Sequence, residues 1–137
     1  MKTEQVFQVG MQAEQTFRVA EADTASHVGS GSLRVLATPS MIGFMERVAR
    51  AFMDERLPEG ASSVGVHVDV RHLAATPVGG ELRVACEIIE VDGRRVDFFV
   101  QAWDDFEKVG EGRHQRVVID IERFLKRLQA KQKPIQG

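Results

Sequence analysis

The sequence has a single cysteine, Cys86. One thiol cannot form a disulfide within the chain, and it cannot make a zinc site that depends on several cysteine ligands. Cys86 alternates in register with Leu82 and Val84, so we interpret it as a core side chain and not as a nucleophile. A lone thiol fits a reducing compartment, and the expected location is therefore cytoplasmic.

The chain also lacks an excess of charge of either sign. Its 18 Lys and Arg residues nearly balance its 20 Asp and Glu residues, which gives a formal net charge of -2. This balance provides no global electrostatic reason to expect nucleic acid or a membrane surface as a partner. A small anionic ligand would have to be bound by local groups.

No long apolar segment opens the chain. Residues 1–20 mix charged and apolar side chains, so they contain neither the core of a signal peptide nor a membrane-spanning segment. A length of 137 residues suits one sizeable core and leaves no room for separate cofactor and substrate domains. We therefore expect a single domain over residues 1–137.

One long amphipathic helix is predicted from Thr38 to about residue 57. Apolar side chains recur there at three- and four-residue steps, and charged side chains gather on the opposite side. Pro39 suits the first helical position, and Thr38 can cap the free backbone N–H groups of that end. The apolar stripe comprises Met41, Ile42, Met45, Val48, Ala49, Phe52 and Met53.

Alternating segments predict five strands. They are residues 12–20 before the helix and residues 63–73, 81–91, 94–103 and 112–121 after it. Asp92-Gly93 is the strongest hairpin signal in the chain, and we interpret the four later strands as an antiparallel meander. A short C-terminal helix is expected over about residues 122–133.

These elements fit together in one economical way. A lone helix with an apolar stripe needs a sheet to cover it, and an antiparallel sheet of five strands needs cover on its inner face. The prediction is an α+β hot-dog fold, in which a curved five-stranded antiparallel sheet wraps around one long helix.

Three side chains on these elements could perform acid-base or nucleophilic chemistry, namely Thr38, Glu46 and His72. A hydrolase uses a hydroxyl, a carboxylate and an imidazole to activate a nucleophile and to move a proton. Strand parity predicts that His72 faces the helix together with the valines at 64, 66, 68 and 70. The same parity sends Gly65 and His67 to the other face, so the nearby histidines cannot converge on a metal from a regular strand.

Each candidate also has a simpler structural interpretation. His72 can be a hydrogen-bonded side chain at the end of a core row, and Thr38 can be an N-cap residue. Glu46 lies at the border of the apolar stripe, where partial desolvation suits proton transfer, but it can equally form an exposed ion pair with Arg50. Arg116 can be a solvated strand residue instead of a ligand for an anionic group.

The candidates together resemble the catalytic set of the hot-dog acyl-CoA thioesterases, specifically the group typified by fluoroacetyl-CoA thioesterase. The similarity covers about residues 13–121. The spacing from Thr38 to Glu46 to His72, eight and then twenty-six residues, is similar to that of the Thr, Glu and His of this family. The resemblance implies that Gly65 supplies a backbone N–H near the thioester and that Arg116 lies close to the substrate.

The resemblance further implies that the chain hydrolyses a small or medium acyl-CoA to a free acid and CoA. It implies a homodimer with active sites at the subunit interface, and neither a cofactor nor a metal. One feature departs from the family, because aromatic side chains close the pocket of the fluoroacetyl-specific enzyme whereas this chain has Gly29-Ser30-Gly31-Ser32. We therefore expect no selectivity for fluoroacetate.

Two other functions remain open from the residues. A glutamate and a histidine across one pocket could also move protons at carbon, as in a hydratase or dehydratase of enoyl or hydroxyacyl thioesters. A non-catalytic acyl-CoA binding protein would use the same fold without chemistry. Thiol release, a change in enoyl absorbance, and binding with neither signal distinguish the three.

Overall fold

The computed structural model describes residues 2–132 and contains all five predicted strands and the long helix. A short turn of 3-10 helix at Glu21–Asp23 follows the first strand. The elements in chain order are α1 (Thr3–Val6), β1 (Gln12–Arg18), α2 (Ala25–Val28), α3 (Thr38–Asp54), β2 (Ala61–His72), β3 (Glu81–Asp92), β4 (Arg95–Trp103), β5 (Lys108–Asp120) and α4 (Ile121–Gln129).

The strands form one antiparallel sheet in the order β1-β3-β4-β5-β2. The predicted meander is correct for β3, β4 and β5 but wrong for β2, which pairs with β5 at the far edge. The segment after β2 is not a hairpin turn, because the Leu36 N–H donates to the Thr76 carbonyl and Val35 bridges Pro77. These bonds hold the connection against the segment that enters α3. The strand order makes β1 and β2 the edge strands.

Helix α3 supplies one side of the hydrophobic core. Its buried side chains are Met41, Phe44, Met45, Val48, Ala49, Phe52 and Met53. The rings of Phe52 and Phe98 meet edge to face at 6.2 Å, which packs the helix against β4. Each large apolar side chain buried in this way contributes roughly 1.5–3 kcal/mol. The core therefore fixes α3 on the sheet, and with it the positions of Thr38 and Glu46.

Cys86 is buried in this core, as predicted. Burial raises the pKa of its thiol to about 12, because the thiolate would lose its hydration. The thiol is therefore protonated at neutral pH and is a poor nucleophile.

Helix α4 is shorter than the predicted C-terminal helix. The Asp120 carboxylate caps it by accepting a hydrogen bond from the Arg123 N–H, and the helix ends at Gln129. Residue 133, where the predicted helix ends, lies outside the described residues. No helix within residues 2–132 is long and apolar enough to cross a membrane.

Candidate active site

A β-bulge decides which residues of β2 face α3. The register of β2 against β5 shifts by one residue between Gly65 and His67, which makes Val66 the extra residue. A Cβ added to Gly65 would lie 2.6 Å from Glu46 Oε2, so Gly65 faces the helix. The regular alternation predicted for this strand is therefore wrong at Gly65, because the bulge changes the face at that point.

After the bulge, the side chains of β2 again face the side of the sheet that strand parity predicts. Val70 packs against the hydrophobic core, and His72 reaches the start of α3. Thr38 Oγ1 lies 2.8 Å from His72 Nδ1, which is a hydrogen bond. The structure thus brings together two of the predicted residues, which we call the Thr38/His72 pair.

The Thr38 hydroxyl is not used to cap the helix. The N-cap residue of α3 is Ala37, and no side-chain hydrogen bond caps this end. The interpretation of Thr38 as an N-cap residue is therefore wrong. Because the helix does not use the hydroxyl, it is available to the imidazole of His72.

Burial and hydrogen bonding determine the protonation state of the His72 imidazole. Burial lowers the pKa of His72, and the nearby backbone of Ala74 opposes this shift. The ring is therefore neutral at neutral pH, and one of its nitrogens carries a lone pair. Nε2 is buried without a hydrogen-bond partner among the described residues. With the ring proton on Nε2, Nδ1 accepts the Thr38 O–H, which is the arrangement that a general base requires.

A cavity of about 390 Å³ opens at the Thr38/His72 pair. Its lining consists of Ala25, Ser30, Val35, Leu36, Thr38, His72, Leu73, Ala74 and Ala75. This lining, all from the described part of the chain, includes no Phe, Tyr or Trp. Ser30 brings the predicted glycine and serine segment to the cavity. The cavity therefore has space for an apolar chain beside the Thr38 hydroxyl.

Glu46 belongs to a second group of polar side chains. Its Oε2 lies 3.6 Å from Arg116 Nη1. Arg50 pairs with Asp54 at 3.2 Å, so the alternative ion pair between Glu46 and Arg50 is wrong. The Glu46 side chain is 42% exposed, so a ligand can approach it from solvent.

Within one chain the two groups are separate. Glu46 follows Thr38 by eight residues, which corresponds to a rise of about 12 Å along the helix. No hydrogen bond within residues 2–132 joins Glu46 to the Thr38/His72 pair. The Glu46 carboxylate and the Thr38 hydroxyl therefore lie at two separate positions along α3.

Arg116 is buried despite its charge, so it is not the solvated strand arginine of the simpler interpretation. Its side chain is 6% exposed. Nε donates to Ser63 Oγ at 2.9 Å, and Nη2 donates to the Ser63 carbonyl at 3.1 Å. Burial lowers the pKa of Arg116, and the Glu46 carboxylate opposes this shift. A guanidinium stays charged under these conditions.

A second, smaller cavity lies beside this group. It measures about 260 Å³, and its lining consists of Gly43, Glu46, Arg47, Arg50 and Arg116. Gly65 closes the group from β2, where a Cβ would also approach Arg116 Nη1 to 3.3 Å. Any larger residue at Gly65 would therefore displace the carboxylate or the guanidinium.

Ser63 and His114 were not among the residues predicted from the sequence, although both contact Arg116. His114 precedes Arg116 by two residues, and this spacing on one strand face is the signal that could have identified it. Ser63 has no such signal, because its inward orientation depends on the bulge. We call Glu46, Gly65, Arg116, Ser63 and His114 the Glu46 cluster.

Comparisons with known proteins identify the family of this chain. Residues 19–122 match the model of the family described as fluoroacetyl-CoA-specific thioesterase. The fluoroacetyl-CoA thioesterase of Streptantibioticus cattleyicolor is 38% identical over 97 residues, which cover 71% of this chain and 70% of that protein.

Solved structures are similar over nearly the whole chain. A fluoroacetyl-CoA thioesterase has a TM-score of 0.87 at 32% identity, covering 93% of this chain and 98% of that chain. A hot-dog-like protein from Thermanaerovibrio acidaminovorans has a TM-score of 0.90 at 27% identity, covering 98% of this chain and 100% of that chain. These likenesses confirm the predicted hot-dog fold. Since the family model also spans most of the residues, the chain belongs to the fluoroacetyl-CoA-specific thioesterase family.

Proposed function

We propose that this chain hydrolyses acyl-CoA thioesters with small or medium acyl groups, releasing the free acid and CoA. The observation that carries the proposal is the 2.8 Å hydrogen bond between Thr38 Oγ1 and His72 Nδ1 at the edge of a cavity. A nucleophile within hydrogen-bond reach of its base is the arrangement of nucleophilic catalysis. The similarity to fluoroacetyl-CoA thioesterase supports the same reaction.

The Thr38/His72 pair supports attack by the threonine hydroxyl. His72 Nδ1 takes the hydroxyl proton while Oγ1 bonds to the thioester carbon, and it returns the proton to the CoA sulfur as the C–S bond breaks. Water then attacks the acyl ester with His72 as base, and the proton returns to Thr38 as the acid leaves. Direct attack by a water molecule on the thioester uses the same base. A mass shift on Thr38 after rapid quenching distinguishes the two routes, because only attack by Thr38 forms an acyl ester on its side chain.

The Glu46 cluster is the second half of the proposed site. The Gly65 N–H polarises the thioester carbonyl, and Glu46 orients water or acts as a second base. Arg116 holds the carboxylate of Glu46 through the contact at 3.6 Å. The role of Gly65 follows the family resemblance, which also places Arg116 close to the substrate, whereas the contact of Arg116 with Glu46 is observed in this chain.

A homodimer would unite the two halves. Strand β2 is an edge strand that carries both Gly65 and His72, and the exposed Val66 and Val68 lie between them. An exposed apolar edge favours pairing with another strand. Antiparallel pairing of β2 with its own copy is two-fold symmetric, so the His72 end of one strand lies toward the Gly65 end of the other. Each Thr38/His72 pair thereby approaches a Glu46 cluster.

The acyl range follows from the larger cavity. Its volume of about 390 Å³ and its small side chains leave space beyond a two-carbon acyl group. Each additional buried methylene contributes ~0.8 kcal/mol, which corresponds to about fourfold in kcat/KM. Discrimination between hydrogen and fluorine needs a closely fitted pocket, which the lining does not provide. Specificity should therefore rise with chain length and be insensitive to fluorine.

A panel of acetyl-, fluoroacetyl-, butyryl- and hexanoyl-CoA assayed for thiol release tests the reaction and the range together. We expect thiol release from all four, with kcat/KM rising toward the longer chains. A strong preference for fluoroacetyl-CoA would show that another segment closes the pocket. A change in enoyl absorbance without thiol release would establish a hydratase or dehydratase, and tight binding with neither signal would establish a binding protein.

The cytoplasmic location and the single domain over residues 1–137 are proposals of the same kind. The free, buried Cys86 supports a reducing compartment. One sheet around one core within residues 2–132 supports a single domain. Cell fractionation and a single cooperative unfolding transition test the two statements.

A further inference from the structure

A row of polar contacts leads from β2 through the buried side chains of His114 and Arg116 on β5 to the carboxylate of Glu46. His114 Nδ1 lies 2.9 Å from the His67 carbonyl oxygen, and His114 Nε2 lies 3.2 Å from Arg116 Nη1. The same Nη1 is 3.6 Å from Glu46 Oε2. His114 is only 1% exposed, so water cannot easily replace either of its bonds.

The two partners of His114 determine its protonation state. A carbonyl oxygen only accepts hydrogen bonds, and a guanidinium only donates them. Nδ1 therefore carries the proton and Nε2 carries the lone pair, which makes the ring neutral. Burial lowers the pKa of His114 and the charge of Arg116 lowers it further, in agreement with this assignment.

His114 supplies a hydrogen-bond acceptor to the nitrogen of Arg116 that faces Glu46. Ser63 accepts from Nε and Nη2, which fixes one edge of the guanidinium. Nη1 is the nitrogen nearest Glu46, and His114 Nε2 is its hydrogen-bond acceptor. Without His114, the acceptor left to Nη1 would be the half-exposed carboxylate of Glu46. That carboxylate is 3.6 Å away, which is beyond ordinary hydrogen-bond distance.

We propose that His114 is a positioning residue that holds Arg116, and through it the carboxylate of Glu46, in place for hydrolysis. The proposal rests on the role given to Glu46 in the proposed function. His114 lines neither of the two cavities at the site. It therefore acts through Arg116 and not on the substrate.

Two substitutions at His114 separate positioning from packing. His114→Gln can place an amide oxygen where Nε2 lies and offer Arg116 an acceptor, whereas His114→Asn reaches only the Nδ1 position and keeps the bond to His67. We expect the Asn variant to lose between roughly 10-fold and 100-fold in kcat, since a displacement of about 1 Å can cost 10²-fold. The Gln variant should stay within about threefold of the unmodified protein, and KM should change by less than about twofold in both.

Val118→Ala is the matched control, because Val118 is a buried neighbour on the same face of β5. It should lower the melting temperature without lowering kcat. Full kcat in His114→Asn would overturn the proposal. Equal losses in the Asn and Gln variants would also overturn it, since packing of the ring would then explain both.

A double substitution tests whether His114 acts through Glu46. Glu46→Gln combined with His114→Asn should have the kcat of Glu46→Gln alone, because residues that act as a unit are not additive. Losses that multiply would overturn the proposal. Full activity of Glu46→Gln would overturn both this proposal and the role of Glu46, whereas a loss in Glu46→Gln with none in His114→Asn would leave the proposed function intact.

Discussion

Replacing Thr38 with Val tests the role of the hydroxyl with little change in shape. Val keeps the branched side chain and removes the oxygen that lies 2.8 Å from His72 Nδ1. The hydroxyl either attacks the thioester or positions the attacking water. Its loss should lower kcat by about 10²-fold to 10⁴-fold, the usual range for a step assisted by a base. Thr38→Ser keeps the hydroxyl and is the matched control, with an expected loss of less than about tenfold.

The same substitution should cost little stability. A capping threonine contributes about 1 kcal/mol, but Ala37 occupies the N-cap position of α3. Thr38 is exposed, so water can replace its bond to His72. We expect the free energy of unfolding to change by less than about 0.5 kcal/mol.

Thiol release from butyryl-CoA and urea denaturation, measured on the same samples, separate the two effects. The account predicts a large fall in kcat with an almost unchanged denaturation midpoint. A fall of about 1 kcal/mol in stability with little change in kcat would refute it. That result would show that Thr38 serves the helix and not the reaction.

Three further predictions concern acid sensitivity and assembly. Because burial lowers the pKa of His72, the acid limb of the kcat/KM profile should have an apparent pKa below about 6.5, and a limb at or above that value would contradict His72 as the base. The pKa of His114 is also lowered in the folded chain. Below about pH 6.5, His114 therefore binds a proton more readily in the unfolded chain than in the folded chain, which favours unfolding. The melting temperature should therefore fall between about pH 7 and pH 5.5 and fall less in His114→Gln, so equal falls would exclude this linkage. Val68→Lys should convert a dimer into a monomer of low activity in sedimentation and turnover assays, and a fully active monomer would argue against the shared site.

The helix and the hairpin could be predicted from the sequence because their signals are local. The apolar period of α3 depends on residues within a few turns of each other, and the Asp92-Gly93 turn has Gly93 at φ 58°. Thr38 and His72 could be identified by residue type and strand parity. The hot-dog fold followed from the number and order of these elements.

The place of β2 in the sheet and the partner of Glu46 depend on contacts between distant segments. Pairing of β2 with β5 follows from the route of the connection past residue 76, which no local pattern encodes. The bulge at Val66 turns Gly65 toward the helix and so determines what surrounds Arg116. Arg50 was a reasonable partner for Glu46 at four residues' distance, but Arg116 approaches it from another strand.

Thiol release by His72→Ala and His67→Ala, compared with the unmodified protein, tests the central claim most directly. The two histidines lie on one strand, and the exposed His67 side chain faces away from the Thr38/His72 pair. The account predicts that the unmodified protein and His67→Ala hydrolyse butyryl-CoA equally, and that His72→Ala loses about 10²-fold or more in kcat. Unchanged turnover in a folded His72→Ala variant, or no thiol release from any acyl-CoA by the unmodified protein, would contradict the account.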